Sequence, residues 1–259
     1  MLAFLFPGQG SQHVGMGKAL MEASAECRIT FEEADSILGV SLSQLCVEGP
    51  EEQLTLTENA QPAILTTSIA AYRFVLAQGL QPDFVAGHSL GEYSAHVAAG
   101  TLSFADAIMI VRERGRFMQE AVPVGVGSMA AILGLDAEVV MQVCNDVANG
   151  AVVAPANLNA PGQVVIAGER EAVGRVTTAA RKRGAKRVIP LAVSAPFHCA
   201  LMQPAADRLV PILRSVSVAN PRIPVVANVD AKSKTDGQSA IEALIQQVAA
   251  PVLWEQVVR

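Results

Sequence analysis

The sequence predicts an α/β protein in which a parallel sheet with helices on its faces is interrupted by a smaller unit. Up to residue 121, short apolar runs alternate with helical stretches, which is typical of a parallel sheet. From residue 128 the order changes to β-α-β-β-α-β, the ferredoxin-like pattern, and beyond residue 194 the first order resumes. We therefore expect a large domain of residues 1–124 and 194–259, with a small ferredoxin-like domain of residues 125–193 inserted into it.

In the large domain, a strand at residues 2–6 leads into a loop that is rich in glycine. The clearest helix is predicted from Pro62 to Gly79, because proline favours the first turn of a helix and glycine its end. Ser103 and Asp106 form a variant of the capping box, which predicts the start of another helix. The remaining predicted strands are residues 84–86, 128–133, 151–154, 163–167, 186–193 and 223–228. The remaining predicted helices are residues 92–99, 103–121, 136–148, 169–183 and about 239–249.

The composition argues against several classes of protein. Hydrophobic residues make up 51% of the chain and charged residues 17%, as in a globular rather than a disordered protein. Aromatic residues are scarce and the net charge is −5, so no nucleic acid partner is expected. The longest uncharged stretch, residues 147–168, is broken by prolines and glycines and does not predict a membrane span. The N-terminus lacks a basic leader and the four cysteines form no C-x-x-C pair, which together favour a cytoplasmic location.

Residues 87–91, Gly-His-Ser-Leu-Gly, form a G-x-S-x-G motif between an apolar run and a helix. Small residues on both sides of a serine let the two backbones approach each other while the serine holds a strained conformation. The hydroxyl of Ser89 would then lie at the start of a helix, where free N–H groups favour an anion. The alternative is a tight turn with an incidental serine. The motif predicts a nucleophile elbow in an α/β-hydrolase-like parallel sheet.

A serine hydroxyl becomes a good nucleophile only when a base accepts its proton, and the chain has four histidines. His198 follows the end of a predicted strand, where the site residues of α/β proteins gather. His88 directly precedes Ser89, and neighbouring side chains in an extended segment point apart. His96 is expected to be solvated or packed on the following helix, while His13 stays open as a further candidate. Position makes His198 the first candidate for the base.

The loop Pro7-Gly8-Gln9-Gly10 after the first strand could bring a backbone N–H to a reacting carbonyl oxygen, opposite the N–H of Leu90. Each donor of such an oxyanion hole is typically worth about 3 kcal/mol in the transition state. The alternatives are a plain turn or a dinucleotide-binding loop. The second alternative is weak, because His13 stands where the third glycine of that fingerprint is required.

The helix after the elbow contains Arg112-Glu113-Arg114-Gly115-Arg116. Arginines on helices usually face solvent. A guanidinium buried near Ser89 would instead bind a substrate carboxylate through two parallel hydrogen bonds. The sequence alone leaves both interpretations open for each arginine.

Four motifs in this order, G-Q-G-S-Q at 8–12, G-H-S-L-G-E at 87–92, R-E-R-G at 112–115 and F-H at 197–198, resemble those of the malonyl-CoA:acyl carrier protein transacylases. The resemblance extends over the whole chain from Leu2. It implies an enzyme that moves a malonyl group from malonyl-CoA to the phosphopantetheine thiol of acyl carrier protein, for fatty acid or polyketide synthesis. Members of this family also contain the inserted ferredoxin-like unit, and they usually continue beyond residue 259 with another glycine-rich segment.

The resemblance also implies catalytic roles. Ser89 would take the malonyl group from CoA as an ester, and His198 would be the general base and then the general acid. The backbone N–H groups of Gln9 and Leu90 would form the oxyanion hole. A main-chain carbonyl, assigned by this resemblance to Leu253, would orient the histidine in place of an aspartate.

Substrate and partner contacts are implied in the same way. Arg114 would bind the free carboxylate of the malonyl group, and Gln61 would line its pocket. No cofactor is expected, since malonyl-CoA is a substrate, and nothing in the sequence indicates a metal site. The carrier protein of the family is acidic, so Lys186 and Arg187 in the basic segment 181–187 could bind the carrier or the phosphates of CoA. Alternatively, these cations only offset the dipole of a helix C-terminus.

Two rival functions remain. A serine esterase or thioesterase of α/β-hydrolase type would share the elbow. It should, however, have an aspartate and then a histidine after the serine, and no ferredoxin-like insert. A non-catalytic module that docks an acyl carrier would be expected to lack Ser89 or His198, and both are present.

Overall fold

The computed structural model describes all 259 residues, which divide into two compact units. Unit 1 consists of Met1–Arg116, Pro211–Ala227 and Lys232–Leu244. Unit 2 consists of Phe117–Val210, Asn228–Ala231 and Ile245–Arg259. The chain has no helix with the length and apolar character that crossing a lipid bilayer requires.

The strands are β1 (Ala3–Phe6), β2 (Phe84–Gly87), β3 (Gly127–Leu133), β4 (Val153–Ala160), β5 (Gln163–Glu169), β6 (Arg187–Leu191), β7 (Val225–Val226) and β8 (Ser233–Lys234). The helices are α1 (Lys18–Ala23), α2 (Ala25–Leu38), α3 (Leu42–Glu48), α4 (Glu51–Thr55), α5 (Thr57–Ala77), α6 (Gly91–Ala99), α7 (Phe104–Glu120), α8 (Ala137–Val147), α9 (Arg170–Lys182), α10 (Gln203–Ser215), α11 (Gly237–Gln247) and α12 (Trp254–Val258). The result is an α/β fold, as the sequence predicts.

The sheet of unit 1 is mixed and has the strand order β1-β2-β7-β8. The first three strands are parallel, and β8 pairs antiparallel with β7. Strands β1 and β2 are in register from the pair Ala3 and Phe84 to the pair Phe6 and Gly87. Because parallel strands that are in register end at the same edge of a sheet, the loops after β1 and β2 leave the sheet side by side.

Helix α6 packs on this sheet through small side chains, which allow the helix backbone to come close to the strands. The core here consists of Phe6, Val85, Ala95, Ala98, Ala99 and Val225. Two aromatic rings close its edge, since the ring of Tyr72 lies 6.1 Å from that of Phe4 in an edge-to-face geometry. This packing fixes where α6 begins, and with it the serine that precedes the helix.

Helix α5 begins at Thr57, five residues before the predicted start at Pro62. A proline inside a helix loses one backbone hydrogen bond, which is why the sequence favoured it as the first residue. The structure keeps Pro62 in the second turn of a helix whose first two turns are largely buried, including Thr57, Ala60 and Gln61. Burial of these two turns therefore outweighs the preference of proline for the first turn of a helix.

The sheet of unit 2 is antiparallel, with the order β4-β5-β3-β6. Helices α8 and α9 bury one face of apolar side chains each; in α9 these are Ala172, Val173, Val176 and Ala180. That spacing follows the helical period of 3.6 residues. The helices and the strands share one core, to which Ile132, Val140, Val164 and Ile166 contribute.

Several predicted boundaries differ from the structure. Strand β4 runs to Ala160 with two irregularities in its pairing to β5, so the sequence prediction of 151–154 was too short. Strand β7 has two residues instead of the predicted six, and α10 was not predicted. Unit 2 contains all of residues 125–193 together with further segments, and the predicted domain boundaries stay a prediction.

Candidate active site

The G-x-S-x-G motif forms a sharp turn from strand β2 into helix α6. Ser89 has a φ of 51°, in the left-handed region that side chains other than glycine rarely adopt. A Cβ on Gly87 would lie 1.9 Å from the carbonyl carbon of Gly91, and a Cβ on Gly91 would lie 2.3 Å from the carbonyl oxygen of Phe6. Neither position can hold a larger residue without moving the backbone, so the two glycines make the turn possible.

The loop after β1 packs directly against this turn. A Cβ on Gly8 would lie 2.5 Å from the carbonyl oxygen of His88, which leaves room only for glycine. Ser11 stabilises the loop by donating from its Oγ to the carbonyl of Gly8, at 2.8 Å. The backbone N–H groups of Gln9 and Leu90 donate to no carbonyl of the protein. Two backbone donors on adjacent segments are thus available to an acceptor from outside the chain.

Arg114 on α7 is 2% exposed, whereas Arg112 is half-buried and Arg116 is exposed and paired with Glu113. The residue pattern alone left the three arginines undistinguished, whereas the family resemblance assigned the carboxylate-binding role to Arg114. Burial selects Arg114 because a guanidinium away from water needs specific partners.

The partners of Arg114 are in unit 1. Its Nη1 donates to Oε1 of Gln61 at 2.9 Å, and its Nη2 donates to Oγ of Ser89 at 3.2 Å. Its Cζ lies 5.4 Å from the centroid of the Tyr93 ring. Burial lowers the pKa of Arg114 from its ordinary value, while Tyr93 and Glu92 act in the opposite direction. The guanidinium stays charged at neutral pH and is held beside the hydroxyl of Ser89.

His198 belongs to unit 2 and is 3% exposed, with a φ of 60°. Its Nδ1 lies 3.0 Å from the carbonyl oxygen of Gln247. The assignment of this carbonyl to Leu253 was therefore wrong, and the carbonyl of Leu253 accepts the N–H of Val257. Gln247 is the last residue of α11, where helix carbonyls lack an intrahelical partner, so its carbonyl can accept from the imidazole.

Packing or local hydrogen bonds account for the other candidate histidines, His96 and His13, and for Cys199, which follows His198 in the chain. His96 is fully buried, its Nε2 lies 4.0 Å from Oε1 of Glu92, and burial lowers its pKa to about 3. It is a packed, neutral side chain. His13 is exposed, with its Nδ1 3.3 Å from the carbonyl oxygen of Ser11. Cys199 donates from Sγ to the carbonyl of Pro196 at 3.1 Å, and burial raises its pKa to about 11, so it remains a thiol.

The predicted docking residues lie at the start of the edge strand β6 in unit 2. Lys186 and Arg187 are both exposed. The stem of Lys186 lies over Gly134, where a Cβ would come within 2.6 Å of the lysine Cγ. Its stem is thus packed while its ammonium group reaches solvent.

Sequence reasoning missed two residues of this site, Tyr93 and Gln247. Tyr93 lies in the first turn of the helix that Ser89 precedes, so its closeness to the serine in the sequence carried a signal. Gln247 carried none, because a main-chain carbonyl can come from any residue type.

Comparisons with known proteins relate these features to a family. The family described as "Acyl transferase domain" matches residues 3–259. The malonyl CoA-acyl carrier protein transacylase of Bacillus subtilis (strain 168) is 52% identical over 256 residues, which are 98% of this chain and 81% of the relative.

Two solved structures are similar to this chain over nearly its whole length. An acyl carrier protein S-malonyltransferase from Vibrio cholerae O1 biovar eltor has a TM-score of 0.97 and 49% identity, and the match covers 99% of this chain and 84% of that one. A malonyl-transacylase solved in complex with its type II PKS acyl-carrier protein has a TM-score of 0.95 and 49% identity, over 97% of this chain and 82% of that one.

The acyl transferase domain matches almost the whole chain, and a buried arginine lies beside a serine on a tight turn. The protein is therefore an acyltransferase. Within that class the chain belongs to the malonyl CoA-acyl carrier protein transacylase family.

Proposed function

We propose that the chain transfers a malonyl group from malonyl-CoA to the phosphopantetheine thiol of acyl carrier protein through an ester on Ser89. Malonyl transfer to a carrier protein is the activity that gives the family its name, and the product serves fatty acid or polyketide synthesis. The observation that carries the residue assignment is the 3.2 Å hydrogen bond from the buried Arg114 to the Ser89 hydroxyl. A buried cation beside the proposed nucleophile supports the assignment of Arg114 to the substrate carboxylate and of Ser89 to the nucleophile.

In the first half-reaction, Oγ of Ser89 attacks the thioester carbonyl of malonyl-CoA and Nε2 of His198 accepts the hydroxyl proton. The C–S bond breaks as the tetrahedral intermediate collapses, and the imidazolium returns the proton to the CoA thiolate. In the second half-reaction the carrier thiol gives its proton to His198 and attacks the ester, and Ser89 recovers its proton on leaving. Atoms and charge balance with no cofactor or metal.

The Gln247 carbonyl supports the role of His198. An acceptor at Nδ1 keeps that nitrogen protonated, which leaves the lone pair on Nε2 for the serine proton. A neutral carbonyl stabilises the imidazolium less than a carboxylate would, so the histidine returns its proton more readily.

The backbone N–H groups of Gln9 and Leu90 would bind the oxyanion of each tetrahedral intermediate. Their lack of a carbonyl partner within the protein supports this role. Because an oxyanion forms only as the carbonyl is attacked, these donors lower the barrier without tightening substrate binding.

Arg114 would bind the free carboxylate of the malonyl group through two parallel hydrogen bonds, with Gln61 holding the guanidinium in the required plane. On binding, the carboxylate would replace the Ser89 hydroxyl as the partner of Nη2. The hydroxyl would thereby be released for attack.

We also propose a division of the fold into a small and a large domain. We assign residues 125–193 to a small ferredoxin-like domain, supported by the element order β3-α8-β4-β5-α9-β6 and the sheet order β4-β5-β3-β6. Residues 1–124 and 194–259 would form the large α/β-hydrolase-like domain. Its parallel strands β1, β2 and β7 and its elbow support this assignment.

Lys186 and Arg187 are proposed to attract the acidic carrier or the phosphates of CoA. Both are exposed and follow the exposed cations Arg181, Lys182 and Arg183 in the chain. Clustered charge on a surface raises the rate at which an oppositely charged partner docks. We also propose a cytoplasmic location, since the four cysteines are free and buried.

The test of the function is an assay with malonyl-CoA in the presence and absence of a carrier protein thiol. The proposal predicts malonyl-carrier product when carrier is present and little free malonate in its absence. Free malonate formed at the same rate with and without carrier would instead identify a thioesterase. No turnover of malonyl-CoA under either condition would identify a docking module.

A further inference from the structure

The first turn of α5 contains two buried polar side chains on one face. Thr57 and Gln61 are four residues apart, so they lie one above the other on the helix, and each is 1% exposed. Gln61 accepts a hydrogen bond from Nη1 of Arg114 at 2.9 Å. Oγ1 of Thr57 accepts one from Nε2 of Gln9 at 3.3 Å. One helical turn therefore holds both the carboxylate-binding arginine and the loop with a proposed oxyanion donor.

Helix α7 contacts the same turn very closely. A Cβ on Gly115 would lie 2.5 Å from the carbonyl oxygen of Thr57 and 2.8 Å from Cα of Glu58. Gly115 directly follows Arg114, so the backbone that carries the arginine rests on the backbone of Thr57. This contact leaves α7 no room to shift toward α5.

The Gln9 side chain links its loop to the rest of unit 1. The other hydrogen bonds of residues 8–12 join members of the loop and its neighbour His13. The bond to Thr57 spans 48 residues and reaches a helix that is buried at this point. Loss of this bond would free the side chain of Gln9 and let its backbone N–H drift from the position that an oxyanion requires.

We propose that Thr57 is a positioning residue for the oxyanion hole, acting through the side chain of Gln9. This inference rests on the proposed function, in which the Gln9 N–H binds the oxyanion. Every acyl group forms that oxyanion, whereas only a malonyl group has a carboxylate for Arg114. Loss of the Thr57 hydroxyl therefore slows malonyl and acetyl transfer by the same factor, which distinguishes it from loss of Arg114.

The test compares Thr57→Val, which keeps the shape but removes the hydroxyl, with Thr57→Ser, which keeps the hydroxyl. We expect Thr57→Val to lower kcat about fivefold to tenfold for both acyl groups, with KM for malonyl-CoA unchanged. Thr57→Ser should restore kcat to within about twofold. Thr66→Val is the matched control, since Thr66 is equally buried on the same helix and its hydroxyl has no partner.

Gln9→Met provides a second variant that removes the other partner of the same bond. We expect it to lower kcat like Thr57→Val, and the double variant to be no slower than either single one. The inference is overturned if Thr57→Val keeps the kcat of the parent, if only malonyl transfer slows, or if the two variants add. Ester formation on Ser89 is measured in the same samples. Its absence in the parent protein refutes the proposed function, while its presence beside an unaffected Thr57→Val refutes this inference alone.

Discussion

In the proposed mechanism a single side chain, Arg114, sets the specificity for the acyl group. Its guanidinium is buried between the side chain of Gln61, the ring of Tyr93 and the hydroxyl of Ser89. A buried cation of this kind favours an anionic ligand, because a carboxylate restores the hydrogen bonds and the charge balance that water would provide. An uncharged acyl group offers neither.

Replacing Arg114 with alanine should lower kcat/KM for malonyl-CoA by about 100-fold or more, because the substrate carboxylate would lose its charged partner at a position that is buried from solvent. Acetyl transfer should change far less. Steady-state kinetics with both CoA thioesters measures the ratio. Arg116→Ala, at an exposed position two residues away, is the control and should leave the ratio unchanged. Equal loss for both substrates would exclude the carboxylate role.

His198 marks the limit of prediction at this scale. Its position after a strand made it the first candidate for the base, and the resemblance to a family supplied the idea of a main-chain acceptor. The acceptor itself was misassigned to Leu253 and is Gln247. Side-chain chemistry is visible in a sequence, but which carbonyl a helix leaves unpaired depends on where tertiary packing ends that helix.

The elbow was the most predictable element, because steric demands on Gly87 and Gly91 restrict the residues that can stand there. A Cβ added at either glycine would lie within 2.5 Å of a backbone atom. Longer-range packing was less predictable. Helix α5 begins at Thr57 and strand β7 has only two residues because segments distant in sequence bury them. The local sequence pattern does not reveal such burial.

Helix α6 is buried on nearly all sides, and this explains the unusual state of His96. Burial lowers its pKa from the ordinary 6.5 to about 3, so the unfolded chain binds more protons than the folded protein between these values. By linkage, the contribution of this neutral histidine to stability is complete above pH 6.5. It is lost as the pH falls toward 3.

A His96→Leu variant should therefore show a shallower loss of stability in acid. The difference in slope should reach at most about 1.4 kcal/mol per pH unit in the window from pH 6.5 to 3. Urea denaturation at a series of pH values measures it, with the parent protein as the reference. Parallel stability curves for the two proteins would show that His96 does not titrate in this way.

At the scale of the whole molecule, the residues proposed to act in the reaction are divided between the two units in sequence. Unit 1 contains Ser89, Arg114 and the loop with Gln9, whereas unit 2 contains His198 and the basic segment 181–187. The motifs that predicted these residues are scattered over the sequence. Each was informative alone, but their common function followed only from their order and from the family match over residues 3–259.

The basic segment is predicted to affect the binding of the carrier rather than the rate of the chemical step. The double variant Lys186→Glu/Arg187→Glu should raise KM for the acidic carrier about tenfold at low salt while leaving kcat unchanged, and the effect should shrink as salt screens the charges. Titrating the carrier at two ionic strengths measures this. Lys18→Glu/Arg28→Glu makes the same charge change at exposed positions of unit 1 and is the control. An unaffected KM would favour a role limited to the helix dipole.

The central claim, that Ser89 carries the malonyl group between the two thiols, is tested most directly by intact-mass spectrometry after brief exposure to malonyl-CoA. The account predicts a mass increase of one malonyl group on the parent protein, its disappearance when carrier thiol is added, and no increase for Ser89→Ala. A parent protein that gains no mass, or a Ser89→Ala variant that gains the same mass, would contradict it.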